Sequence, residues 1–193
     1  MEFEKLEHLA CYRGPLTQGM NLYEFPPSLR IAYIRDYSEK RVAYSKIPPK
    51  VSPASSLVRL SLHGFRNMQR LPDGLEKLTK LEILNLWNCR QLKEFPYKLG
   101  DLSNLKELDL LNCCELKELP SNFGQLKKLK ELDLTSCYGL KELPSQLKNL
   151  KKLNLMGCWV LEKRPLSLKD FLPDNFKGNN LVLGLLKKVR KQN

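Results

Sequence analysis

The sequence predicts an α/β solenoid, in which short parallel strands stack into one curved sheet. Three observations lead to this fold class. A block of about 24 residues recurs along the 193-residue chain. Each block contains an L-x-L step, and apolar residues at period two predict a short strand with one buried face. Each block also contains a proline at a constant position, which biases the segment after the strand towards extended backbone.

Five consecutive blocks align from residue 57 onwards. Their shared pattern is L-x-x-L-x-L-x-x-C-x-x-L-x-x-L-P-x-x-L-x-x-L-x-x, and the fourth block is three residues shorter than the first three. This pattern is the leucine-rich repeat signature, in which each repeat adds one strand to a horseshoe. We therefore expect a parallel β-sheet on the concave face, with short helical or 3₁₀ turns and extended segments on the convex face.

The regularity of the repeats suggests how one domain, 1–193, is organised. Residues 1–56 read as irregular N-terminal repeats, with a strand near Ile31–Ile34. Residues 57–171 hold the five regular repeats of 21–24 residues. Residues 172–193 read as a loop followed by a basic segment that could form a capping or tail helix. A membrane-surface contact or a nuclear-import patch are the alternative interpretations of that tail.

The cysteines are predicted to pack rather than to bind metal. Four of the six recur at position 9 of the repeat, at the end of the strand, and Phe65 occupies the same position one repeat earlier. Zinc sites need closely spaced ligands such as C-x-x-C, which this sequence lacks. We expect a buried structural ladder, with Cys114 outside it at the surface. The ladder comprises Phe65, Cys89, Cys113, Cys137 and Cys158.

The strand residues that point away from the leucines define a candidate binding surface. Exposed tryptophans are not needed for the core and are favoured as interface anchors. Carboxylates on neighbouring rungs repel each other. Flanking lysines such as Lys106, or a basic partner, would reduce this repulsion. Because repeat proteins bind through their concave faces, we predict a protein partner here. The predicted residues are His63, Ile83, Trp87, Glu107, Asp109, Leu111, Glu131, Asp133, Tyr138, Met156 and Trp159.

Enzyme chemistry finds little support in the sequence. His8 and His63 are the only histidines, and no phosphate-binding glycine motif or G-x-S-x-G elbow is present. Ser61 and His63 share a face with Asp109, but nothing in the pattern shields or orients them. We therefore predict a non-catalytic chain with no cofactor.

Charge and hydropathy limit the partners and the location. The net charge of +12 suits acidic partners. Because charge is the only feature that supports nucleic acid, we do not predict nucleic acid as the partner. The start of the chain lacks a secretory signal, and no apolar run is long enough to span a membrane. We expect a cytoplasmic protein, with the nucleus as the alternative.

Residues 22–171 resemble the leucine-rich repeats of plant intracellular nucleotide-binding immune receptors, the disease resistance proteins. The segments LNLWNCRQLKEFP, LDLLNCCELKELP and LDLTSCYGLKELP carry this resemblance. It implies a repeat domain that senses a pathogen effector or host protein and helps to keep a nucleotide-binding domain inactive. The sequence departs from such receptors in containing no nucleotide-binding segment. Scaffold proteins of small-GTPase or kinase signalling share L-P-x-x-L-x-x-L, and they remain the alternative.

Overall fold

A computed structural model of the protein describes residues 7–13, 27–36, 56–71, 74–144, 147 and 149–162. These residues form a seven-stranded parallel sheet in which the strands are adjacent in chain order. The sheet confirms the predicted solenoid of leucine-rich repeat type. No helix in the described ranges is long and apolar enough to cross a membrane. The strands are β1 (His8–Arg13), β2 (Ile31–Asp36), β3 (Arg59–His63), β4 (Ile83–Asn85), β5 (Glu107–Asp109), β6 (Glu131–Asp133) and β7 (Lys152–Asn154), and a short helix α1 (Trp159–Glu162) follows β7.

The irregular N-terminal region contributes two rungs to this sheet. In β2, Ile31 lies opposite Arg59 of β3, so Ala32 and Ile34 align with the leucines of the regular repeats, and both are buried. The strand expected near Ile31–Ile34 therefore lies within β2. The predicted loop and basic tail, 172–193, fall outside the described residues.

Leucines from every repeat form one continuous core. Those at positions 1, 4 and 6 are at most 3% exposed in all five regular repeats. On the convex side, 3₁₀ turns at Leu75–Lys77, Leu99–Asp101 and Ser121–Gln125 each bury one apolar side chain. Pro120 precedes the third turn with φ −59° and ψ 147°, the extended geometry that proline favours. Each buried leucine contributes about 1.5–3 kcal/mol relative to an exposed one.

Position 8 of every regular repeat adopts the left-handed backbone conformation, a feature that the leucine spacing does not predict. Its φ values lie between 60° and 78°, and this conformation turns the chain away from the sheet at the end of each strand. Glycine and asparagine tolerate it best. The requirement is strictest at Gly64, where an added Cβ would lie 2.7 Å from the carbonyl oxygen of Asp36. The five residues are Gly64, Asn88, Asn112, Ser136 and Gly157.

The four position-9 cysteines lie one per rung and are fully buried, directly after the left-handed residues. Each thiol donates a hydrogen bond to the position-6 carbonyl of the preceding repeat. For example, Sγ of Cys137 lies 3.2 Å from the carbonyl oxygen of Leu110, which also accepts the backbone N–H of Cys113. The other three Sγ–carbonyl distances are 3.1–3.5 Å. The thiols thus satisfy carbonyls at the point where the strands end, in addition to filling space.

Replacing Cys113 by serine should lower the free energy of unfolding by about 1–3 kcal/mol. The Sγ of Cys113 is already 3.5 Å from the carbonyl oxygen of Leu86, so the shorter C–O bond of serine would leave a buried hydroxyl without a good acceptor. Urea denaturation followed by circular dichroism measures the change. Cys114→Ser is the matched control, because Cys114 is only half-buried and should lose much less. Equal losses in the two variants would contradict this role of the ladder.

Candidate functional site

The concave face is built by positions 3, 5 and 7 of each repeat, which alternate with the buried leucines along the strands. Position 7 forms a row that includes Arg35 in β2, opposite His63, and reaches Met156 after β7. Within this row Trp87 is 41% exposed and Met156 is 60% exposed, whereas Thr135 is buried. Large apolar groups therefore reach solvent at two separate places on this face, one near each end of the regular repeats.

The first place centres on Trp87. Its ring stacks on His63, with 4.4 Å between the ring centroids and 9° between the planes. Partial burial lowers the pKa of His63, and the positive charges of Arg35 and Arg66 lower it further. The imidazole is therefore neutral near pH 7 and supports one side of the indole. Ile83 and Leu111, the other apolar residues predicted here, are partly exposed on the rungs of β4 and β5.

The second place lies at the end of β7. Tyr138 stacks on Trp159, with ring centroids 4.8 Å apart. Tyr138 is 38% exposed and Trp159 is 60% exposed. Met156 and Val160 are also exposed in this region. The predicted residues Tyr138, Met156 and Trp159 thus lie three to four rungs from His63, so the eleven predicted residues do not form one compact cluster.

The position-5 side chains have a structural task that sequence reasoning missed. In Asp109 and Asp133, one carboxylate oxygen accepts the backbone N–H two residues later, at 2.9 and 2.8 Å. Asn85 and Asn154 do the same at 2.9 and 3.3 Å. The signal was present in the sequence, because aspartate and asparagine recur at this position and commonly form such Asx turns.

Amides on the outer rungs also bind the two central carboxylates. Nδ2 of Asn85 lies 3.0 Å from Oδ2 of Asp109, and Nδ2 of Asn154 lies 3.2 Å from Oδ2 of Asp133. Asp109 is therefore committed to its own turn and to Asn85. It is not arranged as the third member of a group with Ser61 and His63.

The position-3 glutamates project further into the concavity. Glu107 is exposed, and Glu131 forms an ion pair with Lys152 at 3.1 Å. Lys106, which the sequence offered as a neighbouring counter-charge, instead pairs with Glu82 at 2.8 Å. Among the described residues, no three His, Cys, Asp or Glu side chains are arranged to hold a metal ion.

A shallow groove of about 140 Å³ crosses the middle of this face. Its lining runs from Tyr33 on β2 and Arg59 on β3, through Ile83 and Asn85 on β4, to Glu107 and Asp109 on β5. Tyr33 forms part of its wall and is 41% exposed. The groove is small, and its lining suits contacts with side chains of a larger partner.

Protonation of Asp109 should make the wild-type protein more stable, relative to the Asp109→Asn variant, as the pH falls. Burial raises the pKa of Asp109, and the charge of Asp133 adds to this, although hydrogen bonds from Leu111 and Asn85 oppose it. A raised pKa in the folded state means that folding favours the protonated form. Wild type should therefore gain stability relative to Asp109→Asn as the pH falls through the raised value, with the gain complete below about 3.8.

Urea denaturation at a series of pH values from 7 to 3 would measure this difference. Asp101→Asn, on an exposed 3₁₀ turn, is the control for removing a carboxylate elsewhere. A difference between wild type and Asp109→Asn that is constant with pH, or that changes in the opposite direction, would contradict the assigned environment.

Parts of the chain match family models of leucine-rich repeats. Residues 27–113 match the model of the R13L1/DRL21 leucine-rich repeats, and residues 104–126 and 128–150 match the general leucine-rich repeat model. No curated protein matches the sequence of the chain.

Two solved structures are similar to the chain. One is a leucine-rich repeat protein of Leptospira interrogans, with 22% identity and a TM-score of 0.47 over 92% of this chain and 52% of the other. The chain thus spans about half the length of that protein. The other is the leucine-rich repeat domain of the type III effector XopL, with 21% identity and a TM-score of 0.45 over 89% of this chain and 74% of the other. The repeated sequence pattern, the parallel sheet and the family matches together identify a leucine-rich repeat domain in this chain.

Proposed function

We propose that this chain is a non-catalytic recognition module of a plant innate-immunity receptor, and that it binds a protein partner on its concave face. Leucine-rich repeat domains generally bind proteins and are typically non-catalytic. The observation that supports the concave face most directly is Trp87, which is 41% exposed on a strand face although the leucines of its repeat are buried. A rigid aromatic ring held by a stacked neighbour is the kind of group that anchors interfaces.

The receptor assignment rests on the type of repeat. Residues 27–113 match R13L1/DRL21 repeats, which are leucine-rich repeats of the plant nucleotide-binding receptor type. Cysteine at position 9 followed by Leu-Pro supports the same assignment. Under this proposal the partner is a pathogen effector or a host protein, the location is the cytoplasm or the nucleus, and residues 1–193 act as one domain. A nucleotide-binding domain in the full-length chain would be held inactive by these repeats.

The alternative is a scaffold in small-GTPase or kinase signalling, which the shared L-P-x-x-L-x-x-L spacing supports. The full reading frame discriminates between the two. A phosphate-binding loop encoded upstream would favour the receptor, and a repeat array without one would favour the scaffold.

Replacing Trp87 or Trp159 by alanine should weaken partner binding without unfolding the protein. Loss of an anchoring tryptophan commonly costs 2 kcal/mol or more, which corresponds to about a 30-fold loss of affinity. The measurement is the dissociation constant for a candidate effector or host protein by calorimetry, with circular dichroism to verify folding.

Tyr97→Ala provides the matched control, since Tyr97 is 77% exposed and lies outside the concave face. Its affinity should equal that of wild type. If both tryptophan variants bind the partner as tightly as wild type, the concave face is not the binding surface.

A further inference from the structure

We infer that the partner segment on the concave face is zwitterionic, with an acidic and a basic side chain about three to four residues apart and an apolar side chain between them. This inference rests on the proposed function and adds the chemistry of the ligand. It follows from the order of charges along the position-3 row, which runs from Arg59 through Ile83 to Glu107 on three successive rungs.

The N-terminal rungs of the face are basic. Arg59 in β3 lines the groove, and Arg35 in β2 lies opposite His63. Arg66 follows at the end of the β3 rung and is exposed. The charges of Arg35 and Arg66 both reach His63 and disfavour its protonated form. A carboxylate of a partner would be attracted to this end of the face.

The central rungs of the face are acidic, although the whole chain carries a net charge of +12. Glu107 and Asp109 on β5 are followed by Glu131 and Asp133 on β6, in register one rung apart. Lys152 forms an ion pair with Glu131, and its charge also acts on Glu107, Asp109 and Asp133, so one lysine faces four carboxylates. Asp109 and Asp133 are held by their own turns, so their charges stay fixed in place when the partner binds. A lysine or arginine of the partner would be attracted to this end.

The rung between these two zones carries no charge at positions 3, 5 and 7, and its side chains at positions 3 and 7 are apolar. Ile83 and Trp87 project from the β4 rung, and the groove of about 140 Å³ runs over Ile83 from Arg59 to Glu107 and Asp109. Adjacent strands lie about 4.8 Å apart, so two rungs separate the charged ends by about 10 Å. An extended partner covers this distance with about three to four residues at roughly 3.3 Å each, and side chains four residues apart lie on the same face. The groove thus crosses all three zones and sets the spacing of the partner's charges.

The opposite signs of the two ends allow a decisive test, because Arg59→Glu and Glu107→Lys change the net charge in opposite directions. A ligand held by its overall charge would bind one variant more tightly and the other more weakly. A zwitterionic ligand bridging both ends should bind each variant about fivefold more weakly, which is the upper range for one exposed ion pair.

The probe is a displayed library of random 12-residue peptides, selected on the full chain and then measured singly by fluorescence anisotropy. We expect the enriched peptides to carry the acidic–apolar–basic spacing and to lose affinity for both variants. Lys93→Glu and Glu118→Lys are the controls, because they change the net charge equally at exposed positions on the flank of the repeats. Circular dichroism verifies that each variant is folded.

The outcomes separate this inference from the proposed function. Suppose that the enriched peptides bind Trp87→Ala more weakly, but bind one of Arg59→Glu and Glu107→Lys more tightly and the other more weakly. The proposed binding face would then stand, and the inference of a zwitterionic ligand would be wrong. If their affinity is unaffected by Trp87→Ala, Arg59→Glu and Glu107→Lys alike, the proposed binding face itself is wrong. Enrichment of peptides without separated charges, or no enrichment at all, would also overturn the inference.

Discussion

The structure depends on stacking, because no single repeat can bury its own leucines. Strands β4 to β7 are only three residues long, far too short to be stable alone. Leu84, Leu108, Leu132 and Leu153 lie in register on successive strands, so each leucine is covered by the repeats on either side. Each rung therefore depends mainly on its immediate neighbours, and stability is nearly a sum of nearest-neighbour terms.

The stacking of the repeats requires some repeat positions to make structural contacts and leaves others free to vary on the concave face. Position 8 turns the chain, position 9 satisfies a carbonyl, and position 5 holds the turn even though it faces the concavity. At positions 3 and 7 the residue changes from rung to rung: Arg59, Ile83 and Glu107 at position 3 are basic, apolar and acidic. The variable part of the concave face is consequently narrower than the strand pattern alone suggests.

The fold could be predicted because leucine spacing determines it directly. The parallel sheet, the 3₁₀ turns and the early strand near Ile31 all follow from periodicity. The side-chain hydrogen bonds and ion pairs could not be predicted in the same way, because they depend on side-chain geometry. Asp109 looks like a free surface charge in the sequence, yet its carboxylate binds Leu111 and Asn85. The sequence suggested Lys106 as a counter-charge for the carboxylates on the strand face, but Lys106 forms its ion pair with Glu82.

The reactivity of the cysteines in the ladder would report local unfolding of individual rungs. Burial raises the pKa of Cys89 to about 12, and it raises the pKa of Cys113 and Cys137 as well. Because the thiolate is the reactive form, these side chains are chemically silent while their rungs are closed. Each buried cysteine would react only when its own rung opens, whereas the half-buried Cys114 would report on the closed state. The rates of modification would thus record, rung by rung, where the solenoid begins to come apart.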